Sequence, residues 1–331
     1  FINDIISNYF ENEKIISKDR RYITNMVLGS IRMKGQYDYI LSRIYNGDYK
    51  KLKVKLKNIL RLACYQIDRM NSTPNHAAVS TSVEITKKLL SGYQNLVNAL
   101  LREYIKIKDE FDFDHKEGEE FPMTSHPSWL VNKWVEDLGV KKTLKLCEYN
   151  NIPPDIWFRI NSIEKIEFIK KKIKEMGFSI EFHKITNSFF KTSSNIDLIN
   201  SFLFKDGEIS IQNPLNGIIV NLLAPKDNEI IIDGCSAPGG KGSLISLMAP
   251  KSKIFSIDLS EKRMSKLEKT IKRHKINNIE TMILDMTVDS LPMANKILID
   301  VPCSGTGVVN RRADLRWKQS FENLKNNTKI Q

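Results

Sequence analysis

Over the first hundred residues the apolar positions recur at helical spacing, with almost no alternation of the kind a strand requires. Leu52, Leu56, Ile59, Leu60 and Ala63 share one face of a helix, while Lys50, Lys51, Lys53, Lys55 and Lys57 lie largely elsewhere, which makes a basic amphipathic helix. The Pro- and Asn-bearing stretch Met70-Asn71-Ser72-Thr73-Pro74-Asn75-His76 reads as a loop before a further helix from about Ala77 to Leu90. The apolar run through Leu96, Val97, Leu100 and Leu101 then closes a helical bundle. His76, beside a proline, is read as a loop or capping residue with no catalytic role.

The pattern changes after that. Residues 105–120 are charged and uneven, as a linker would be. Ser125-His126-Pro127-Ser128-Trp129-Leu130 opens a helix whose apolar face continues through Trp134 and Leu138, and a second helix from about Lys141 to Asn150 stops at Pro153-Pro154. Trp129 and Trp134 are expected in the core. Ile156–Ile160 predicts a short strand, Ile163–Met176 a Lys-rich helix stopped by Gly177, and Phe178–Phe182 another strand. That β-α-β start suits a small RNA-recognition-like α/β subdomain. Lys170, Lys171, Lys172 and Lys174 either meet phosphate or simply solvate the helix, and the pattern does not separate the two.

From Ile230 onward the unit is strand, loop, helix, repeated. Strands are predicted at residues 230–233, 253–257, 280–284 and 296–299, each ending at an acid: Asp233, Asp258, Asp285 and Asp300. The first runs directly into Gly234-Cys235-Ser236-Ala237-Pro238-Gly239-Gly240-Lys241. A buried strand that hands over to such a loop is a ligand-binding arrangement, because ligands of open α/β sheets sit beyond the carboxyl ends of the strands. The spacing excludes a phosphate-gripping Walker loop, since Gly240 stands where that loop has Lys and Gly242 follows Lys241. The dinucleotide fingerprint is absent too. What remains is a nucleoside site without phosphates, with Asp258 placed to hold a ribose. S-adenosylmethionine meets those requirements.

Composition narrows the setting. The 331 residues are 41% hydrophobic and 27% charged, which is globular, and no apolar run approaches the ~18 residues of a membrane span. No cleavable signal is evident at the start, so the expected location is the cytoplasm, with no membrane partner. A net charge of +12 points to a polyanionic partner, nucleic acid before others. Cys64, Cys147, Cys235 and Cys303 lack metal-ligand or disulfide-framework spacing, and no metal is expected. The chain starts at Phe1 within one amphipathic pattern and stops at Gln331 within another helical stretch; both ends are expected to be cut.

A second constellation lies at Asp300-Val301-Pro302-Cys303-Ser304-Gly305-Thr306-Gly307. A cysteine beside a nucleoside-cofactor site suits methylation of a pyrimidine at C5. That carbon is a poor nucleophile until a thiolate adds to C6 and creates an enamine-like centre that can attack a sulfonium methyl.

Two resemblances follow from these residues. Ile59-Leu60-Arg61-Leu62, Tyr65-Gln66, Pro74-x-His76-Ala77-Ala78-Val79 and Val97-Asn98-Ala99-Leu100-Leu101-Arg102 resemble the NusB-type RNA-binding helical domain, which in its fused form precedes a methyltransferase. Asp233-x-Cys235-x-Ala237-Pro238-Gly239-Gly240-Lys241, Asp258, Asp285, Asp300-x-Pro302-Cys303-Ser304-Gly305-x-Gly307 and Arg311-Arg312-x-Asp314-Leu315-Arg316-Trp317 resemble the bacterial 16S rRNA cytosine-C5 methyltransferases of the RsmB (Sun, Fmu) type. The resemblance implies a multidomain α and α/β chain. Residues 1–108 would be the NusB-like bundle, 109–154 a linker with connecting helices, and 155–212 the RNA-recognition-like subdomain. Residues 213–331 would be a Rossmann-like class I methyltransferase sheet, incomplete at its C-terminus.

It also implies roles. Cys235, Ser236, Ala237, Pro238, Gly239, Gly240 and Lys241 would wrap S-adenosylmethionine, Asp258 would hold its ribose, Asp285 would lie by the adenine, and Asp300 would line the methyl and base end. Chemistry alone, and the analogous Pro-Cys of DNA cytosine-C5 methyltransferases, would make Cys303 the nucleophile, whereas the resemblance to the RNA family implies that it helps release the methylated product. The family's attacking cysteine sits in a Thr-Cys motif one strand further on, which these 331 residues lack. The implied partner is small-subunit rRNA and the implied full-length state a monomer. The chain is expected to be a fragment without turnover, its fourth strand left as an exposed sheet edge. Val301, where the family has Ala, and Asn213, where it has Asp, are departures; Asn213 leaves one local contact open. An RNA-binding, antitermination-like module without catalysis is the alternative, and a DNA or protein methyltransferase a third reading.

Overall fold

The helical patterning of the first hundred residues becomes six helices in the computed structural model, which describes residues 2–13, 15–71, 73–110, 122–192 and 195–331. They are α1 (Ile2–Asn12), α2 (Ser17–Arg32), α3 (Lys34–Ile44), α4 (Val54–Arg69), α5 (Asn75–Leu89) and α6 (Gln94–Ile107). The apolar face of α4 is the one the periodicity marks: Leu56, Ile59, Leu60 and Ala63 are buried, and Leu56 and Leu60 pack with Tyr37, Ile40, Leu41, Val97, Leu101 and Tyr104. Lys53 and Lys55 stay exposed. Two polar ties run through this core: Arg61 forks onto Asp38 at 2.7 and 2.6 Å, and the Tyr104 hydroxyl donates to Asp68 at 2.5 Å. Helix α5 starts at Asn75, two residues before the predicted Ala77, because Pro74 takes the capping position in an extended conformation.

Helices α7 (Ser128–Leu138) and α8 (Val140–Asn151) follow, joined by Gly139 at a φ of +79°. The most acidic part of the expected linker, from Asp112 to Glu120, lies outside the described residues. Trp129 and Trp134 are half-buried, so the expectation of core tryptophans is corrected. Trp134 packs edge-on against the ring of His126 at 5.5 Å.

This helical unit, up to Pro154, also includes Cys303–Lys329. The returning segment carries α15 (Leu315–Lys318) and most of α16 (Phe321–Ile330). It is anchored by Arg316, which is fully buried and donates to the carbonyls of Arg32, Ser125 and Asn150 and to Asn151 Oδ1 at 2.8–3.2 Å. The Trp317 indole N–H donates to the Ile31 carbonyl at 2.8 Å.

The second unit, Asp155–Pro302 with the last two residues, has two sheets. The first contains β1 (Trp157–Ile160), β2 (Ile180–Phe182), β3 (Phe189–Thr192) and β4 (Ile209–Ile211), with α9 (Ile166–Glu175), α10 (Asn195–Asn200) and α11 (Phe202–Lys205). Its order is β2-β3-β1-β4 with every pairing antiparallel. The predicted helix from Ile163 begins three residues late, because Ser162 Oγ accepts the Lys165 N–H at 3.3 Å and uses those residues in a turn. The predicted strand from Phe178 also begins late. Gly177, at a φ of +84°, and Phe178 close the end of α9, the Phe178 N–H returning to the Ile173 carbonyl at 3.2 Å. Lys170 and Lys172 bond to Glu167 and Glu175 at 2.7 and 3.0 Å, so both ammonium groups have partners within the helix.

Helix α12 (Pro214–Leu223) leads into the second sheet: β5 (Ile230–Gly234), α13 (Gly240–Met248), β6 (Lys253–Asp258), α14 (Glu261–His274), β7 (Ile279–Ile283) and β8 (Lys296–Ile299). Asn213 resolves the contact left open by the sequence: its Oδ1 accepts the Leu215 N–H at 2.9 Å and caps α12. The strands are parallel in the order β7-β6-β5-β8. Both faces of β5 are covered, Ile231 packing with Val220, Leu244 and Ile245, and Ile232 with Phe255 and Ile257. Double coverage explains why its sequence is continuously apolar. Strand β8 pairs only with β5 among the described residues and leaves Ile297 and Ile299 half exposed.

Candidate active site

The order of the parallel sheet reverses direction at β5, which is where an open α/β sheet makes its ligand crevice. Register carries this to the atoms: Gly234 stands opposite both Ile257 and Ile299, so the carboxyl ends of β6, β5 and β8 finish level. The loop after β5 is held from several sides. The Ser236 N–H donates to the Ile257 carbonyl at 3.0 Å, the Ala237 N–H to Asp258 Oδ2 at 3.2 Å, and the Gly239 N–H to the Ser236 carbonyl at 2.8 Å. Helix α14 supplies Arg263 to the Ala237 carbonyl at 2.7 Å and Thr270 to the Pro238 carbonyl at 3.0 Å. Gly239 has a φ of +94°, and a Cβ there would stand 2.2 Å from Leu267 Cδ1. Only glycine fits that point on both counts.

Asp258 is almost fully buried, and its other oxygen accepts the Ser260 N–H at 3.1 Å. Arg263 stands 3.3 Å from the same carboxylate. Asp300 is exposed and contacts the Lys241 ammonium directly, while its N–H donates to the Gly234 carbonyl at 3.2 Å. Asp285 is half-buried; the Thr287 hydroxyl and N–H donate to it at 2.6 and 2.9 Å and hold its carboxyl below the usual range. Cys235 has a φ of +55°, and burial, with Asp258 beside it, raises its thiol pKa although Arg263 opposes the shift. Cys303 is exposed and opens the segment that belongs to the helical unit. The other two cysteines, Cys64 and Cys147, are buried.

Asp233 is the residue whose weight the sequence conceals. It is 1% exposed, and neither carboxylate oxygen reaches a hydrogen-bond partner. Burial pushes its pKa up to about 7; Lys241 and the neighbouring Gly242 N–H oppose the shift, and Asp300 and Asp258 add to it. The hydroxyls of Ser236 and Ser256 are buried without partners as well. Arg263 is a further site residue that sequence reasoning missed, a Lys/Arg-rich helix giving no sign of which cation turns inward. Arg159 is another, and its signal was present: a lone charge inside the apolar strand Ile156–Ile160.

Among the described residues no helix is long and apolar enough to cross a membrane, and no group of His, Cys, Asp and Glu side chains could hold a metal ion.

Known proteins resemble this chain segment by segment. Residues 1–106 match the NusB family, residues 126–188 the ferredoxin-like domain of RsmF/B-type methyltransferases, and residues 220–331 the family described as 16S rRNA methyltransferase RsmB/F. The probable ribosomal RNA small subunit methyltransferase B of Bacillus subtilis is 28% identical over 328 residues, covering 96% of this chain and 72% of that protein. The ribosomal RNA small subunit methyltransferase B of Proteus mirabilis is 27% identical over 337 residues, covering 96% and 76%. In fold, the crystal structure of PH0851 superposes with a TM-score of 0.75 at 20% identity over 98% of this chain and 75% of that one. NSun6 from Pyrococcus horikoshii, with SFG, gives a TM-score of 0.52 at 17% identity over 61% and 77%. The helical bundle, the antiparallel four-stranded sheet and the parallel sheet thus occur in the sequence order in which those models match: a NusB-family segment, then the ferredoxin-like domain of RsmF/B-type methyltransferases, then a segment of the 16S rRNA methyltransferase RsmB/F family.

Proposed function

We propose that this chain binds S-adenosylmethionine in the loop Cys235–Lys241 and serves methyl transfer to C5 of a cytosine in small-subunit rRNA. The observation that carries the cofactor assignment is the group of buried polar atoms left without partners beside the loop: both oxygens of Asp233 and the hydroxyls of Ser236 and Ser256. Buried polar groups are almost always satisfied, so such a cluster at the mouth of a parallel sheet calls for a polar ligand. The donor set fits. Asp258 offers a fixed acceptor to ribose hydroxyls, the first turn of α13 offers backbone N–H groups, and a carboxylate poised to ionise at Asp233 suits the ammonium end of an amino-acid moiety. NSun6, which shares the fold, has been seen with SFG, an S-adenosylmethionine analogue.

Bound S-adenosylmethionine supplies an electrophilic sulfonium methyl group. The residues of this chain orient the reaction around it. Lys241 pairs with the Asp300 carboxylate, which would face the base end, and Asp285, fixed by Thr287, would lie on the adenine side. In a C5 methylation a thiolate adds to C6, C5 takes the methyl group, the C5 proton leaves to a base, and the thiolate is expelled as the C5–C6 double bond re-forms. Cys303 is the exposed thiol of the chain, and its assigned part is that last step, the release of product.

Calorimetric titration with S-adenosylhomocysteine tests the cofactor site: the wild-type chain should bind, and Asp258→Ala should weaken binding at least tenfold. No binding by the wild type would instead favour an RNA-binding module without catalysis. Incubation with labelled cofactor and unmodified small-subunit rRNA tests the part given to Cys303. Robust methyl transfer that vanishes in Cys303→Ser would make it the attacking thiol and overturn the release assignment.

A further inference from the structure

Arg159 lies in the middle of β1, where Phe158 and Ile160 turn into the core of the small sheet beside Ile169, Ile173 and Phe190. Alternation along a strand sends Arg159 to the opposite face with Trp157. Trp157 there packs with Phe189, Val220, Ile231, Leu244 and Ile245, the cluster under α12 and α13. Arg159 is 1% exposed. Its guanidinium donates to Gln212 Oε1 at 2.6 Å, to the Gly240 carbonyl at 3.2 Å, to Ser243 Oγ at 3.0 Å and to Asn161 Oδ1 at 2.8 Å. Every one of those acceptors is neutral.

An arginine buried without a carboxylate is a costly way to fill space. An apolar residue in β1 would pack on the same cluster without the cost of removing a charge from water. The cation also stands at the N-terminal end of α13, where the helix dipole is unfavourable to it. What the arrangement does produce is a fixed point at Gly240. Its carbonyl accepts from Arg159, from Gln212 Nε2 at 2.8 Å and from the Ser243 hydroxyl at 3.1 Å. A Cβ on Gly240 would stand 3.2 Å from Gln212 Nε2, so the amide and the loop are in close approach. Gly240 belongs to the cofactor loop and is also the first residue of α13.

We propose that Arg159, acting with Gln212, is a positioning residue for the cofactor: by gripping the Gly240 carbonyl from the small sheet it sets the course of Cys235–Lys241, and so couples the order of the ferredoxin-like domain to S-adenosylmethionine binding. This rests on the cofactor site argued above. The planar fork is essential, because four acceptors in different directions cannot be reached from the single nitrogen of a lysine. Arg159 touches no ligand in this scheme; it acts only through the loop.

The test is S-adenosylhomocysteine affinity by calorimetry in the 331-residue chain for wild type, Arg159→Lys, Arg159→Met and Gln212→Ala, with amide hydrogen exchange and thermal unfolding recorded in parallel. Arg159→Lys should keep the charge yet lose at least tenfold in affinity. Gln212→Ala, which removes one of three donors and is the milder change, should lose several-fold. Exchange should rise at residues 239–244 while the amides of Phe158 and Ile160 keep their protection, a split that general destabilisation of the unit would not give. If wild type binds and all three variants bind within twofold of it, the inference is overturned and Arg159 is packing alone. It is overturned equally if affinity falls only in proportion to loss of folded protein, or if Gln212→Ala, still folded, binds as wild type. If wild type itself fails to bind, the cofactor reading falls first and this inference falls with it.

Discussion

Replacing Asp233 by asparagine removes a buried charge and almost nothing else. The carboxyl group moves from its ordinary 3.8 to about 7 in the folded chain, which corresponds to roughly 4 kcal/mol in favour of the neutral form. A carboxyl with a raised folded pKa contributes stability that is fully present below the unfolded value and is lost as pH rises through the folded value. Between about pH 5 and about pH 8 the portion lost is roughly 3 kcal/mol. Asparagine does not titrate, so the Asp233→Asn chain should gain on wild type by that amount across the same window. The amides of Ile231 and Ile232 in β5 are the reporters, because their hydrogen exchange reads the opening of this sheet separately from the helical unit. Exchange measured at several pH values, and normalised for intrinsic rates, should show a wild-type opening free energy that falls towards high pH relative to the variant. A difference between the two chains that stays flat from about pH 5 to about pH 8 would refute the reasoning. It would mean that Asp233 is ionised throughout and that Lys241 compensates for its burial.

Three other expectations follow from individual contacts. Gly239→Ala places a methyl 2.2 Å from Leu267 Cδ1 at a φ of +94°, and should weaken S-adenosylhomocysteine binding and destabilise the second unit by about 1–3 kcal/mol; adding Leu267→Ala should relieve the clash but leave the backbone strain, as urea unfolding would show. Burial, reinforced by Arg316, lowers the pKa of His126 to about 3 from 6.5, so it contributes stability above its unfolded value that is lost as pH falls from 6.5 towards 3; His126→Gln should flatten that acid loss in the tryptophan fluorescence, to which this unit contributes Trp129, Trp134 and Trp317. The exposed Ile297 and Ile299 on the edge strand β8 should promote self-association, which sedimentation should show reduced in the Ile297→Lys, Ile299→Lys double variant and which a monodisperse wild-type monomer would exclude.

What the sequence determined by itself was local. The apolar face of α4, the continuous run Ile230-Ile231-Ile232, the acids closing four parallel strands and the Pro-Gly-Gly loop are each written within a few neighbouring residues, because period and turn chemistry need no distant partner. The small sheet was legible only in its first two strands. Phe189–Thr192 and Ile209–Ile211 are too short to show a period, and they become strands by pairing on either side of β1. Tertiary structure alone decided the rest. Asp233 reads as one of four strand-terminal acids, yet burial without partners gives it a proton affinity that Asp285, held by Thr287, does not have. Arg159 and Arg316 read as two of many cations, but each is enclosed by neutral acceptors brought from across its own unit. The charge state and destination of a side chain depend on what surrounds it in space. That surrounding is assembled from residues far away in the sequence.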